Sequence, residues 1–365
     1  MRALPVLLAL LIGLPSAGLA VTNMVSRPAG LLRILVPPST SDVLVSFPFD
    51  AFDPDVNVLF SNQLTGATNE MEADAIFKWD TVLQAYTNAY KAYNTGDPAK
   101  DGLWFVDFTN WSTSTLTFYP GEGWWVRNVH SSTQTFFLSG TLLLDDVFTN
   151  SFYEGGNLMG YPYAAQIALS NTDLINDGAY ANWWYDIADS VQSWTGTNYD
   201  NYFYNDETWG YGEYFELMWK WCKAEGSYPA LASNNIQIGH GYWYYRRTAS
   251  TLDWSESRPY ANLFPVNTNA PDVTAMSFNT NKDEVTLSIR TTGEAGEKID
   301  VYYKDLAETN SFASPGWLVA ATNLPSSGQQ AIAWTDAGSA SRGKINTVFS
   351  RYYLLGRANV DNDAD

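Results

Sequence analysis

Cysteine and histidine are scarce in this chain of 365 residues, which has one Cys, at position 222, and two His. One cysteine cannot form an internal disulfide, and so few thiolate and imidazole ligands exclude a structural zinc cluster. Basic residues are also few: 20 Lys and Arg stand against 39 Asp and Glu, giving a formal net charge of −19. A chain this acidic, without a basic stripe, is not expected to bind nucleic acid through its phosphates.

Long apolar runs are absent after the N-terminus. The first apolar run, Leu4 to Leu14, is followed by small residues, and Gly18 and Ala20 fit the −3 and −1 positions of a signal-peptidase site. The run is shorter than the roughly 20 residues of a membrane span. We therefore predict a signal peptide over residues 1–20 and a secreted or cell-surface product with no membrane span after cleavage; a retained anchor is the alternative.

Catalytic motifs are also missing. The sequence has no Gly-x-Ser-x-Gly elbow, no His-Glu-x-x-His motif and no phosphate loop. A glycosidase needs two carboxylates at a fixed separation, and the best cluster near aromatic residues is Asp206, Glu207, Glu213 and Glu216. We predict that the protein is not an enzyme and keep a carboxylate-dependent, glycoside-active enzyme as an alternative.

Aromatic residues are abundant, at 15% of the chain, and hydrophobic residues reach 45%, so the chain is expected to fold. Apolar residues alternate with polar ones in several short segments, which is typical of β-strands. Leu44 breaks the alternation of Val43, Val45 and Phe47, which predicts a strand buried on both faces. The spacing over Asp80 to Tyr93 indicates a short helix, and the alternation over Phe215 to Trp221 indicates a strand.

Four segments recur in order at nearly constant spacing, which indicates an internal duplication; the alternative is chance in an aromatic-rich chain. The matched pairs are residues 45–49 with 159–163, Asp74 and Trp79 with Asp189 and Trp194, residues 121–127 with 239–245, and residues 30–35 with 140–144. We predict an all-β fold with two tandem duplicated antiparallel β units, at 21–139 and 140–261.

Composition changes after Tyr260. Residues 262–272 have the proline and asparagine content of a linker, and aromatic density then falls. Six or seven short strand-like runs follow within residues 273–357, the pattern of an immunoglobulin or fibronectin III-like β-sandwich. Residues 358–365 form an acidic tail.

The tail ends with acidic side chains at alternate positions, Asp361, Asp363 and Asp365. A tight loop can bring three such oxygen ligands to one calcium ion. These residues are the predicted metal ligands at the possible start of a calcium repeat; a solvated acidic tail without metal is the alternative.

The densest aromatic cluster lies between Tyr180 and Trp221. Exposed rings beside Asn and Asp suit sugars, because a pyranose has one apolar face and a rim of hydroxyls. The predicted ligand-binding residues are Tyr199, Tyr202, Tyr204 and Trp209. Two other interpretations remain open: cross-strand pairs that fill a core, and anchors for a protein partner.

Three segments together resemble a group of large bacterial extracellular proteins with duplicated aromatic β modules and C-terminal thrombospondin type 3-like calcium repeats. They are Phe-Pro-Phe at 47–49, Gly-Glu-Gly-Trp-Trp-Val-Arg-Asn at 121–128, and residues 352–356 followed by the alternating aspartates. The resemblance implies bacterial secretion and C-terminal calcium but no activity.

From these features we predict a secreted or cell-surface structural or adhesive protein without catalytic activity. Its expected partner is a cell-surface polymer, a glycan, a protein or a second copy of itself. The first alternative is a glycan-binding module that uses exposed aromatic residues.

Overall fold

The computed structural model describes residues 26–38, 42–61, 63–206, 215–225, 228–260, 270–293, 297–306, 317–326, 328–339 and 342–357. The predicted signal peptide, most of the predicted linker and the acidic tail lie outside these residues. Nearly all regular structure in the described residues is β, and every paired strand is antiparallel to its partner. The predicted all-β class is confirmed.

The elements fall into three consecutive groups. The first comprises β1 (Ala29–Val36), β2 (Val43–Ser46), β3 (Asp50–Ala51), helix α1 (Val56–Leu59), β4 (Ala75–Asp80), β5 (Ala85–Lys91), β6 (Trp104–Asp107), β7 (Ser112–Thr113), β8 (Gly123–Arg127) and β9 (Gln134–Thr141). The second comprises β10 (Val147–Phe152), β11 (Gly155–Met159), β12 (Ile167–Ala168), β13 (Ser190–Trp194), β14 (Tyr199–Asn205), β15 (Lys220–Glu225), β16 (Tyr228–Leu231), β17 (Asn235–Ile236), β18 (Tyr242–Arg246) and β19 (Leu252–Ser257), with short 3-10 helices at Leu169–Asn171 and Phe215–Leu217. The third comprises β20 (Asp272–Phe278), β21 (Val285–Arg290), β22 (Lys298–Leu306), β23 (Leu318–Pro325), β24 (Ala331–Asp336) and β25 (Ser350–Arg357), with a 3-10 helix at Ile345–Thr347.

The first two groups each build a six-stranded sheet with the same strand order. The first sheet runs β2-β8-β4-β5-β6-β7 and the second β11-β18-β13-β14-β15-β16. In each group the remaining first and last long strands pair with each other, β1 with β9 and β10 with β19. By this order the counterpart of β1 is β10. The predicted correspondence of 30–35 with 140–144 is therefore wrong: Gly140 lies at the end of β9, directly opposite Gly30.

A buried aspartate occupies the same place in both groups. The Asp74 carboxylate accepts hydrogen bonds from the backbone N–H groups of Thr65, at 2.8 Å, and Val129, at 3.1 Å. The Asp189 carboxylate accepts them from Tyr180, at 2.8 Å, and Arg247, at 2.6 Å. Each carboxylate thus ties the loop before its strand to the segment that follows β8 or β18.

Contacts between the two sheets are reciprocal. The indole N–H of Trp79 donates to the Gly156 carbonyl at 2.7 Å, and that of Trp194 donates to the Asp42 carbonyl at 2.9 Å. Backbone hydrogen bonds between the sheets are reciprocal too. Ser46 N–H donates to the Gly239 carbonyl and Gly160 N–H donates to the Gly121 carbonyl, both at 2.9 Å. The two sheets are therefore related by an approximate two-fold axis.

Close backbone approach at this axis explains several glycines. A Cβ atom on Gly160 would lie 2.0 Å from Ser46 Cβ, and one on Gly241 would lie 2.6 Å from the Val45 carbonyl oxygen. Real Cβ contacts are longer, so a larger residue would push the two sheets apart. The Gly-x-Gly segments of the sequence thus serve the contact between the sheets.

Two local predictions are corrected by the structure. The helix predicted over Asp80 to Tyr93 is a β4–β5 hairpin, because the Asp80 carboxylate accepts hydrogen bonds from Val82 and Leu83 N–H and closes a turn there. The exposure of both apolar residues, at 68% and 74%, leaves no buried helical face. The strand predicted over Phe215 to Trp221 begins only at Lys220, after a 3-10 turn.

The third group completes its larger sheet with strands from the first, in the order β23-β22-β25-β1-β9-β3. This sheet is covered on both faces. In β1, Leu31 packs into the core beneath the β20-β21-β24 sheet, whereas its neighbour Leu32 packs into the core that spans the first two groups. The described C-terminal strands therefore share one sheet with the N-terminal strand and do not close it by themselves.

Candidate functional site

An open cleft of about 770 Å³ lies where the first sheet meets the β13–β14 hairpin of the second. We call it the aromatic cleft. Strands β4, β5 and β8 supply one side, the hairpin supplies the other, and the segment before β2 supplies the rim. Its lining residues are Asp42, Phe77, Tyr86, Asn88, Trp125, Arg127, Trp194 and Tyr199.

The rings of the aromatic cleft stand at steep angles to one another. Trp194 packs against Trp125 at 5.6 Å between centroids and 81° between planes, and against Tyr199 at 4.9 Å and 53°. On the facing strands, Phe77 and Tyr86 lie 6.4 Å apart at 78°. The rings therefore form the walls of a concave site, which suits a ligand that enters between them.

A bidentate ion pair closes the rim. Arg127 donates from Nε to Asp42 Oδ1 at 3.1 Å and from Nη2 to Oδ2 at 3.0 Å, and its guanidinium lies 4.5 Å above the Phe77 ring. The hydrogen bond and charge of Asp42 raise the pKa of Arg127 further above its ordinary value. The two charges compensate each other, and the stacked ring restricts the arginine to one orientation.

Neutral polar groups complete the lining. Asn88 Nδ2 donates to the Tyr90 hydroxyl at 3.4 Å, while Asn88 Oδ1 is buried without a hydrogen-bond partner among the described residues. Tyr86 is 45% exposed, and the Tyr199 hydroxyl accepts a hydrogen bond from Trp243 Nε1 at 3.3 Å. Burial raises the pKa of both tyrosines, so at neutral pH each keeps a hydroxyl that can donate or accept.

The approximate two-fold axis allows an internal comparison of the two sides. Cross-strand pairing places Tyr86 opposite Trp79 and Tyr199 opposite Trp194, so the tyrosines are counterparts, as are the tryptophans. Other positions differ: Asp42 corresponds to Gly156, Phe77 to Gln192, and Arg127 to Tyr245.

On the side related by the axis, Gln84 fills the space beside Gly156. Its Nε2 donates to the Gly156 carbonyl at 3.0 Å, and its Oε1 accepts from the Gly156 N–H at 2.9 Å. The shared tryptophans thus hold the sheets together on both sides. The ion pair and the phenylalanine under it belong to the aromatic cleft alone.

The structure separates the residues that the sequence predicted as one binding patch. Tyr199 lies on one face of β14 and lines the aromatic cleft. Tyr202 and Tyr204 lie on the other face because side chains alternate along a strand. Tyr202 is 2% exposed within the core, so its ring is not available for stacking, and the half-buried Tyr204 donates its hydroxyl to the Trp219 carbonyl at 2.8 Å.

The other predicted site residues lie outside the described residues or apart from the cleft. Trp209, the carboxylates Glu207 and Glu213, and the predicted calcium ligands Asp361, Asp363 and Asp365 lie outside the described residues. Asp206 is half-buried and Glu216 is exposed. Within the described part of the chain, no three His, Cys, Asp or Glu side chains are grouped so that they could hold a metal ion.

Most of the aromatic cleft was missed by the sequence reasoning, because its residues come from five separate segments. The available signal was the segment Trp124–Arg127 and its repeat, where Trp125 matches Trp243 but Arg127 does not match Tyr245. Where two similar segments carry different residues at one position, the fold that they share does not require either residue there.

A second, smaller cleft of about 360 Å³ lies between α1 and β20. Its amide, Gln63, donates to the Leu59 and Phe137 carbonyls and accepts from Phe137 N–H at 2.6 Å. These hydrogen bonds hold the Gln63 side chain within the fold of the protein.

The described helices are all too short to cross a bilayer. The chain matches no protein-family model, no curated protein and no solved structure.

Proposed function

We propose that the protein is a secreted or cell-surface adhesive protein, without catalytic activity, that binds a glycan in the aromatic cleft. The observation that supports this function is the combination, in one concave site, of five aromatic rings with a compensated ion pair and neutral hydrogen-bonding groups. A sugar ring presents an apolar face to aromatic walls and hydroxyls to polar groups, so this lining matches it.

The proposal also includes the evolutionary origin of the fold, the type of its C-terminal part and the location of the protein. The common strand order and the reciprocal contacts of the two sheets support an origin by tandem duplication. The two sheets that enclose the C-terminal core support a sandwich of the immunoglobulin or fibronectin III kind. Export through residues 1–20 and calcium binding by the terminal aspartates belong to the same proposal, in which calcium bridges the acidic protein to a surface.

Export has a direct test. Expression of the full chain in a secreting bacterial host, followed by N-terminal sequencing of the exported product, should give Val21 as the first residue. A product that keeps Met1 and remains in the cell would contradict this part of the proposal without affecting the binding site.

Glycan binding is tested by screening the protein on an array of soluble and immobilised glycans. We expect specific binding that Tyr86→Ala weakens at least about tenfold, equivalent to about 1.4 kcal/mol, because the substitution removes a half-exposed wall of the cleft. Tyr93→Ala is the matched control, since that tyrosine is 61% exposed and does not line the cleft. Binding that both variants lose equally, or an array without any bound glycan, would overturn the proposal.

A further inference from the structure

We infer that the aromatic cleft selects an uncharged, soluble glycan, taken as a chain end or a short segment, over charged sugars and over the flat face of an insoluble polymer. The inference rests on the proposed function and names the class of ligand for the same site. Two features of the cleft support it: its charge balance and its shape.

The charge balance follows from the lining residues. Among the described lining residues, Asp42 and Arg127 are the charged ones, and they hold each other by two hydrogen bonds. A uronate or sulfate would have to displace Asp42 from the guanidinium or remain beside that carboxylate. The formal charge of −19 over the chain adds long-range repulsion to any polyanion. An uncharged sugar meets neither cost.

An organic cation is also disfavoured. Aromatic cages bind quaternary ammonium groups when their ring faces are open to the cation. Here the Arg127 guanidinium already lies 4.5 Å above the Phe77 ring. A second cation in the cleft would be repelled by this fixed positive charge at short range, while Asp42 is engaged by the arginine.

The shape argues against a flat ligand. The planes of neighbouring rings meet at 53° to 81°, so they do not form a coplanar platform. A crystalline polysaccharide surface needs rings in one plane, whereas a single chain can enter a space of about 770 Å³ and contact several walls.

The experiment is isothermal titration calorimetry of the full protein with two ligand series: neutral oligosaccharides of increasing length and oligouronates of equal length. Sedimentation with insoluble cellulose and chitin and titration with tetramethylammonium complete it. For the neutral series we expect an affinity that rises with oligosaccharide length and then levels off. This affinity should change less than twofold between low and physiological salt. We expect oligouronates to bind at least tenfold more weakly than neutral oligosaccharides of equal length, and we expect no measurable binding of the insoluble polymers or of tetramethylammonium.

The decisive variant is Asp42→Asn, which leaves Arg127 without its carboxylate. It should reduce the preference for neutral over uronate ligands at least tenfold and should make uronate binding salt-dependent. Glu72→Gln is the control, because it removes the same charge from an exposed position outside the cleft and should leave the preference unchanged. Arg127→Met is a second variant, which should bind uronates more weakly than the wild type does. Melting curves of all variants establish that they are folded.

The outcomes separate the two proposals. Tighter binding of oligouronates, of insoluble polymers or of tetramethylammonium to the wild type, with sensitivity to Tyr86→Ala, would overturn the inference and keep a ligand site in the cleft. An unchanged preference in a folded Asp42→Asn protein would also overturn the inference. Absence of binding to every probe would overturn both.

Discussion

Glu256 makes the stability of this protein depend on pH in a direction that can be calculated. The residue lies in β19 with 3% of its surface exposed, and its Oε1 accepts hydrogen bonds from Trp254 Nε1 at 2.7 Å and Asp173 N–H at 2.8 Å. Burial raises the pKa of the Glu256 carboxyl from 4.5 to about 7, and the charges of Asp173 and Asp177 also raise it. The two hydrogen bonds oppose the rise and are outweighed.

The sign follows from proton binding in the two states. Between pH 4.5 and about 7 the folded protein holds a proton on Glu256 that the unfolded chain has released. Raising the pH through this window therefore favours the unfolded chain. The difference between the two pKa values corresponds to about 3 kcal/mol of unfolding free energy, fully lost above pH 7.

The perturbation is Glu256→Gln, which keeps an acceptor for Trp254 and Asp173 and removes the titration. Urea unfolding followed by tryptophan fluorescence at pH 5 and pH 8 measures the effect. We expect the variant to gain about 3 kcal/mol relative to the wild type at pH 8 and to differ little at pH 5. Glu154→Gln, in an exposed turn, is the control and should leave the free energy of unfolding unchanged at both pH 5 and pH 8. Equal effects of Glu256→Gln at both pH values would refute the reasoning.

Two further predictions concern packing and buried charge. Gly160→Ala should lower the free energy of unfolding by about 1–3 kcal/mol, because the new Cβ would lie 2.0 Å from Ser46 Cβ. In urea unfolding, the double variant with Ser46→Gly should recover this stability. Absence of recovery would contradict the close contact between these two residues. Asp189→Ala should lower the free energy of unfolding by about 3–5 kcal/mol, because it leaves the Arg246 guanidinium buried without a carboxylate partner. In the wild type the two groups are 2.5 Å apart, and the Arg246 side chain is 5% exposed. A loss below about 1 kcal/mol in the same assay would show that the pair contributes little.

Local patterns predicted much of the strand content correctly where burial follows the strand period. Leu44 and Val45 are the clearest case: the interrupted alternation predicted a strand covered on both faces, and the two side chains enter different cores. The pattern over Asp80 to Tyr93 was misleading. Apolar residues at helical spacing also occur in a hairpin when the turn exposes some of them, and the Asp80 turn was the deciding interaction.

Tyr199, Tyr202 and Tyr204 show where sequence reasoning about the site reaches its limit. Their clustering in sequence suggested one patch, but a strand sends adjacent positions to opposite faces. The residues that join Tyr199 in the aromatic cleft come from the other sheet, and Asp42 and Arg127 are 85 positions apart.

The amino-acid sequence by itself determined the β class and the acidic and cysteine-poor character, because these depend on composition and on periods of two residues. Only the tertiary structure decided which sheet each strand completes and which rings are buried. It also decided that one side of the axis holds an open cleft with an ion pair, whereas Gln84 fills the other. The physical reason is that these outcomes depend on contacts between segments distant along the chain, and short-range patterns contain no information about such contacts.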